Sequence, residues 1–269
     1  RVGDADFGWE IFDNLYRRRT WENREKFGDV DYSGNPPLGS AEILPYDAPQ
    51  KVFDGYKTLF FLGRNIMDDS LYEKLIEYVK QGGNLLLCAS HLDTATRPEE
   101  GFKPYRGGDW TRLTGVKATG GEIRSTYGIK FTAEPPCGWR FPLWSANCDP
   151  KFTDGGFRMA VVENVSASPL AVASDRFVDK TFRPDMLRVL YFHRIGKGTV
   201  VFLPSIDPPG ARGVRFLYEF LLKSAVESVA ANTWPKVECS DRVRWAVYPG
   251  RMYLLNTEER LRQEVVIER

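Results

Sequence analysis

Two short, unbroken apolar runs frame the clearest unit in the chain. "TLFFL" covers 58–62 and "NLLLCA" covers 84–89. Between them, Leu71, Leu75, Ile76 and Val79 repeat at the spacing of one helix face. Ser70 and Glu73 have capping-box spacing, and the pair Gly82–Gly83 stops the pattern. Strand, helix and strand, with strands apolar on both faces, predict a βαβ unit in a parallel sheet. Upstream, Trp9, Phe12 and Tyr16 share a helical face, and Gly28 to Gly39 reads as a loop. Strand patterns recur at "RMAVVE" (158–163), "LAVAS" (170–174), "LRVLYFH" (187–193) and "GKGTVVFLPS" (196–205), and "GVRFLYEFLLKSAVESVAAN" (213–232) predicts a long helix against the sheet. After Pro235 the pattern alternates, as in "RVRWAVYPG" and "RMYLLNTEE", which predicts small antiparallel strands.

The expected fold is therefore α/β, a flavodoxin-like, mainly parallel sheet with helices on both faces, followed by a small antiparallel β appendage. Its expected domains are 1–233 and 234–269. Periodicity fades from 97 to 154, where Gly, Pro, Trp and charge mix, and this stretch reads as an irregular insertion of long loops and short strands on the sheet's rim, where such folds carry function.

Composition narrows the function classes. Of 269 residues 27% are charged, yet the net charge is only +1, which removes the basic footprint of a nucleic-acid binder. No run of about 18 apolar residues exists to span a membrane. Two histidines and four cysteines without a C-x-x-C pair give no metal site, and no glycine-rich phosphate motif stands between a strand and a helix, so neither metal nor cofactor is expected. Cys137 and Cys148 bracket "CGWRFPLWSANC" and stand either as a disulfide or as two thiols. The chain opens on Arg1 and closes on "EVVIER", which reads as a segment of a longer protein.

The chemistry with most promise is "CASH", where Cys88 ends an apolar run and His91 follows three residues later. If the chain turns helically there, the imidazole reaches back to the thiol. The stretch from Tyr56 to Ser90 resembles the core of class I glutamine amidotransferase-like domains, in particular the non-catalytic type that serves as the trimerisation domain of family 42 β-galactosidases and related glycoside hydrolases. "GKGTVVFLPS" with its following helix resembles their closing strand and helix, and "MYLLNTEERLRQEVVI" their C-terminal β-domain. In active amidotransferases the Cys stands in Cys-x-Gly-His and its base and orienting carboxylate in Phe-His-Pro-Glu. Here Ser90 replaces the glycine, and "FLPS" puts Leu203 and Ser205 at the His and Glu positions. Leucine cannot take a proton and serine cannot hold an imidazolium. The resemblance thus implies no catalytic residue in this chain, and an accessory domain that associates with itself, as a trimer in the hydrolases, and lends loops to a sugar site. Two alternatives stay open. One is a cysteine-dependent amidohydrolase using Cys88 and His91. The other is a free-standing carbohydrate-binding module, for which Trp110, Trp139, Arg140 and Trp144 supply the aromatic faces and polar group that suit a sugar or a subunit interface.

Overall fold

The computed structural model describes residues 7–9, 11, 17–19, 30–32, 42–125, 128–141, 145–147, 157–174, 187–233, 235–240, 243–248, 250–256 and 260–268. The chain forms two compact units, Arg1–Ile11 with Leu44–Leu222, and Phe12–Ile43 with Lys223–Arg269. In chain order the elements begin with β1 (Arg17–Arg19) and β2 (Val30–Tyr32), an antiparallel pair of the second unit; β1 stands at the end of the segment expected to be the first helix, and β2 inside the stretch from Gly28 to Gly39 read above as loop. Phe12 and Tyr16 of the first expected helix lie outside the described residues.

The first unit is built on α1 (Gln50–Phe53), β3 (Thr58–Phe60), α2 (Asp69–Gln81), β4 (Asn84–Cys88), α3 (Thr111–Thr114), β5 (Val116–Ser125), β6 (Gly128–Phe131), β7 (Ser145–Asn147), β8 (Phe157–Asn164), β9 (Ser168–Ser174), β10 (Arg188–Ile195), β11 (Gly198–Leu203) and the first half of α4 (Arg212–Thr233). The βαβ unit is present as β3–α2–β4. The N-cap of α2 is Asp68, whose carboxylate accepts the Leu71 amide at 2.8 Å, and not Ser70, which lies inside the helix.

Seven strands form the central sheet in the order β3-β4-β11-β10-β9-β6-β7. The sheet is mixed and mostly antiparallel. β4 runs parallel to β3 and β11, but β10 is antiparallel to β11 and β9, and β6 to β9 and β7. This corrects the expectation of a mainly parallel sheet. The cause is local: Gly196 and Lys197 alone join β10 to β11, and a two-residue connection can only reverse a strand, whereas a parallel return needs a dozen residues or more. The apolar runs recorded burial on both faces, which is independent of strand direction.

Side chains alternate across β4 and β11. Leu85, Leu87, Val200 and Phe202 join the core beneath α2, with Leu71, Tyr72, Leu75, Tyr78 and Val79. Leu86, Cys88, Val201 and Leu203 point the other way, toward α4, whose Tyr218 hydroxyl donates to the Phe61 carbonyl. Helices therefore cover both faces at this end of the sheet. The stretch 97–125, read as loops and short strands, contains the ten-residue β5, which pairs with β8 across a register shift between Ala118 and Glu122.

In the second unit β12 (Lys236–Cys239) pairs with β15 (Val265–Glu268), and β13 (Val243–Tyr248) with β14 (Arg251–Asn256), both antiparallel. These strands supply an antiparallel β appendage of the kind expected from the alternating pattern after Pro235.

Candidate functional site

Cys88 is the last residue of β4, and the segment Ala89–His91 turns at once into a single 3-10 turn. That turn brings the two sequence candidates together, but with their polar atoms already committed. The Cys88 amide donates to His91 Nδ1 at 2.8 Å, and the His91 amide donates back to Cys88 Sγ. This is a reciprocal cap in which the imidazole accepts from the backbone and does not face the thiol as a base.

Burial disarms both groups. Cys88 is 0% exposed and His91 is 1% exposed. Burial pushes the Cys88 thiol well above its usual range, and it pushes His91 down to about 3, so both are neutral at pH 7. With Nδ1 accepting, the neutral ring carries its proton on Nε2, which is buried with no hydrogen-bond partner among the described residues. The ring sits between Phe61 and Tyr218, with centroids 5.2 and 6.4 Å away.

The replacement residues stand beside the cysteine. Leu203 is the register partner of Cys88 in the parallel pair β4–β11. Ser205 is buried, its hydroxyl donates to the Asp207 carbonyl at 2.9 Å, and its own carbonyl accepts the Ser90 amide at 2.8 Å. The nearest downstream carboxylate, Asp207, is held by Arg158, which donates to it from its amide and its guanidinium at 2.8 Å each. No acid or base in "FLPS" is free to act on Cys88. Native Cys88 is therefore expected to resist iodoacetamide at pH 8 and to react only once denaturant opens the sheet, as read by mass spectrometry of the peptide containing it. Alkylation in the folded protein at the rate of an exposed thiol would contradict this geometry.

The aromatic candidates separate. Trp110 is fully buried, donates from Nε1 to the Tyr105 carbonyl at 3.0 Å, and meets Phe202 edge-on at 5.8 Å on the α2 face of the sheet. Trp139 is also buried and stacks on Phe60 at 6.1 Å, on the face shared with Leu86. They lie on opposite faces and form no common platform. Arg140 is exposed next to the buried Trp139, and Trp144 lies outside the described residues. Cys137 is a free thiol, and Cys148 lies outside the described residues. Among the described residues no three of His, Cys, Asp or Glu converge as metal ligands would.

One polar cluster escaped the sequence reading. At the start of α2, Asp69 accepts from the Tyr105 hydroxyl and from Arg106 at 2.8 Å, while Arg112 grips both oxygens of Glu73. The Tyr105 hydroxyl and the Arg106 guanidinium hold the Asp69 carboxyl below the usual range. Arg106 lies 5.2 Å over the rings of both Tyr72 and Tyr105 and is the non-glycine residue with positive φ, 51°, among those described. Its one local signal is "YRGG", where two glycines let the backbone continue in the left-handed region. The cluster is charge-balanced and exposed, and it ties the loop before α3 to α2.

No family model matches the chain, and no curated protein matches it. Solved structures match in part. A β-galactosidase from Bacillus circulans sp. alkalophilus is 16% identical, over 74% of this chain and 26% of its own, with a TM-score of 0.47. Gan42B, a GH42 β-galactosidase, is 17% identical over 81% of this chain and 28% of its own, with a TM-score of 0.44. A cytoplasmic protein from Salmonella typhimurium LT2 is 12% identical over 84% of this chain and 86% of its own, with a TM-score of 0.43. The structural neighbours thus include GH42 β-galactosidases and related glycoside hydrolases at low identity, and the chain spans about a quarter of the length of these β-galactosidases. These are partial likenesses of backbone and speak to no activity.

Proposed function

We propose that this chain is a non-catalytic accessory domain of a carbohydrate-active enzyme, and that it works by associating with copies of itself and presenting loops to a neighbouring sugar site. The observation that carries this reading is the Cys88–His91 cap. The strand end whose sequence resembles an amidotransferase elbow carries a thiol that is sealed and neutral, with Leu203 as its register partner where a base would be needed. A domain whose candidate nucleophile is spent on folding acts through its surface. The resemblance of "YKTLFFLG…GGNLLLCAS" to the non-catalytic amidotransferase-like domains of β-galactosidases supplies the enzyme class.

Sedimentation velocity across a wide concentration range tests the reading. The expected result is a weight-average mass that rises with concentration to a multiple of the 30.7 kDa chain. A sedimentation coefficient that stays at the monomer value at the highest concentration would sink it.

A further inference from the structure

We propose that the chain binds a sugar acid, a pyranose carrying one carboxylate, in a cleft under the C-terminal end of α2. The choice of a sugar over another carboxylic acid rests on the carbohydrate-active reading above. The place and the charge rest on the cleft itself.

The cleft has a volume of about 360 Å³, at the small end of the range for ligand sites. It lies at the foot of β3, β4 and β11, the opposite end of these strands from Cys88. Gly83, which leads into β4, helps to shape it. A Cβ there would lie 2.1 Å from Tyr78 Cζ, so the tyrosine ring fills the place of the missing side chain. The Tyr78 hydroxyl donates to the Asn84 carbonyl at 3.2 Å and fixes that ring. Asp54, Tyr56 and Lys57 line the cleft from the loop before β3, Gln81 from α2, and Lys197 from the turn between β10 and β11.

The two lysines set the charge. The Lys57 carbonyl accepts the Asn84 amide at 3.0 Å, and the Lys197 amide donates to the Lys80 carbonyl at 3.2 Å, so both backbones are pinned. Neither ammonium makes a hydrogen bond or an ion pair among the described residues. Their strands stand two places apart, roughly 10 Å across the sheet, a gap that two four-carbon stems close on one carboxylate. Asp54 neutralises neither lysine. Its Oδ1 accepts Gln50 Nε2 at 2.8 Å.

The rest of the ligand follows from α2. The helix brings its C-terminal end to the cleft, and that end carries partial negative charge. Such a pole opposes a phosphate dianion, which helix N-termini favour. It suits a single negative charge accompanied by hydroxyls that donate. Asp54 keeps its second oxygen for them, and Gln81, whose amide nitrogen donates to Glu77 at 2.6 Å, keeps its carbonyl. The half-buried Tyr56 brings an aromatic ring to the same lining, and a pyranose has an apolar face to set against it.

In the full chain, D-glucuronate at millimolar concentration is expected to shift the amide resonances of Gly82, Gly83 and Lys197 saturably. Raising salt from about 0.02 to about 0.5 M is expected to weaken this binding about tenfold. Glucose supplies the hydroxyls without the charge, acetate the charge without the ring, and inorganic phosphate the dianion. Each is expected to bind at least about tenfold more weakly. Lys57→Ala/Lys197→Ala is expected to lose about tenfold in affinity with its unfolding midpoint unchanged. Lys103→Ala/Lys117→Ala removes the same charge elsewhere and is expected to bind as the parent does. Acetate or phosphate binding as tightly as glucuronate, shifts that never saturate, or unchanged affinity in Lys57→Ala/Lys197→Ala would overturn the site. Sedimentation is independent of these titrations. A chain that binds glucuronate here but never associates sinks the accessory reading alone, and a chain that associates but does not bind sinks the sugar-acid site alone.

Discussion

Acidifying the protein from pH 7 to pH 5 is expected to lower its unfolding free energy by about 2 kcal/mol through His91 alone. Burial holds His91 at about 3 in the folded chain, against roughly 6.5 when unfolded. Between those values the unfolded state binds a proton that the native state refuses, so stability rises with pH. It is fully present above the unfolded value and is lost as pH falls toward the folded one, at about 1.4 kcal/mol per pH unit. The Cys88 amide aimed at Nδ1 works in the same direction, because a second proton there would face an N–H. His193 is also lowered by burial and adds loss of the same sign. The carboxylates held low by partners, Asp69, Glu73, Glu100 and Asp109, contribute mainly below about pH 5, where unfolded carboxyls begin to protonate. Urea unfolding at pH 7, 6 and 5 reads the effect. His91→Asn, which keeps an acceptor near the Cys88 amide but cannot titrate, is expected to start less stable and to fall less steeply. Parallel pH dependence in the two proteins would show that the imidazole takes its proton without unfolding the cap.

The parts of this structure that the sequence disclosed share a physical basis. The β3–α2–β4 unit was legible because buried strands need unbroken apolar runs and a buried helix face needs its 3.6-residue repeat. The cap of α2 was placed two residues late because Asp68, Asp69 and Ser70 are all competent caps and only the backbone chooses among them. Strand direction was misread because an apolar run registers burial of both faces, while "IGKG", short enough to force an antiparallel hairpin, held the better clue. β5 hid because its alternation breaks at Gly120–Gly121, where the register against β8 shifts. At the candidate site, the three-residue spacing of Cys88 and His91 correctly implied contact. It could not reveal that the imidazole would accept a backbone proton, since that depends on the depth at which β4 ends. The aromatic residues near Trp110 and Trp139 looked like one cluster in sequence, and only the sheet between them shows that they belong to opposite faces.

Alanine at Gly198 is expected to cost about 3 kcal/mol or more, near the upper end of what overpacking does. Gly198 opens β11 directly against the end of α2. A Cβ there would lie 2.1 Å from the Gly83 carbonyl oxygen and 2.2 Å from that of Val79. Both obstacles are backbone: one belongs to the turn into β4, the other to the last turn of α2, so neither can swing aside as a side chain would. The same seam is closed next door by the Lys197 amide donating to the Lys80 carbonyl at 3.2 Å. Relief would require the β10–β11 hairpin to withdraw from the βαβ unit, stripping cover from Val79 and Val200 in the core. The fault lies in space and not in conformation, because φ at Gly198 is outside the left-handed region. Gly107→Ala is the matched control. Gly107 has φ of 63° with nothing within 4 Å of an added Cβ, so it should lose only the left-handed penalty of about 1–2 kcal/mol. Chemical denaturation of the two variants separates the causes. If Gly198→Ala unfolds within 1 kcal/mol of the parent chain, the close approach of α2 to β11 is not a rigid contact.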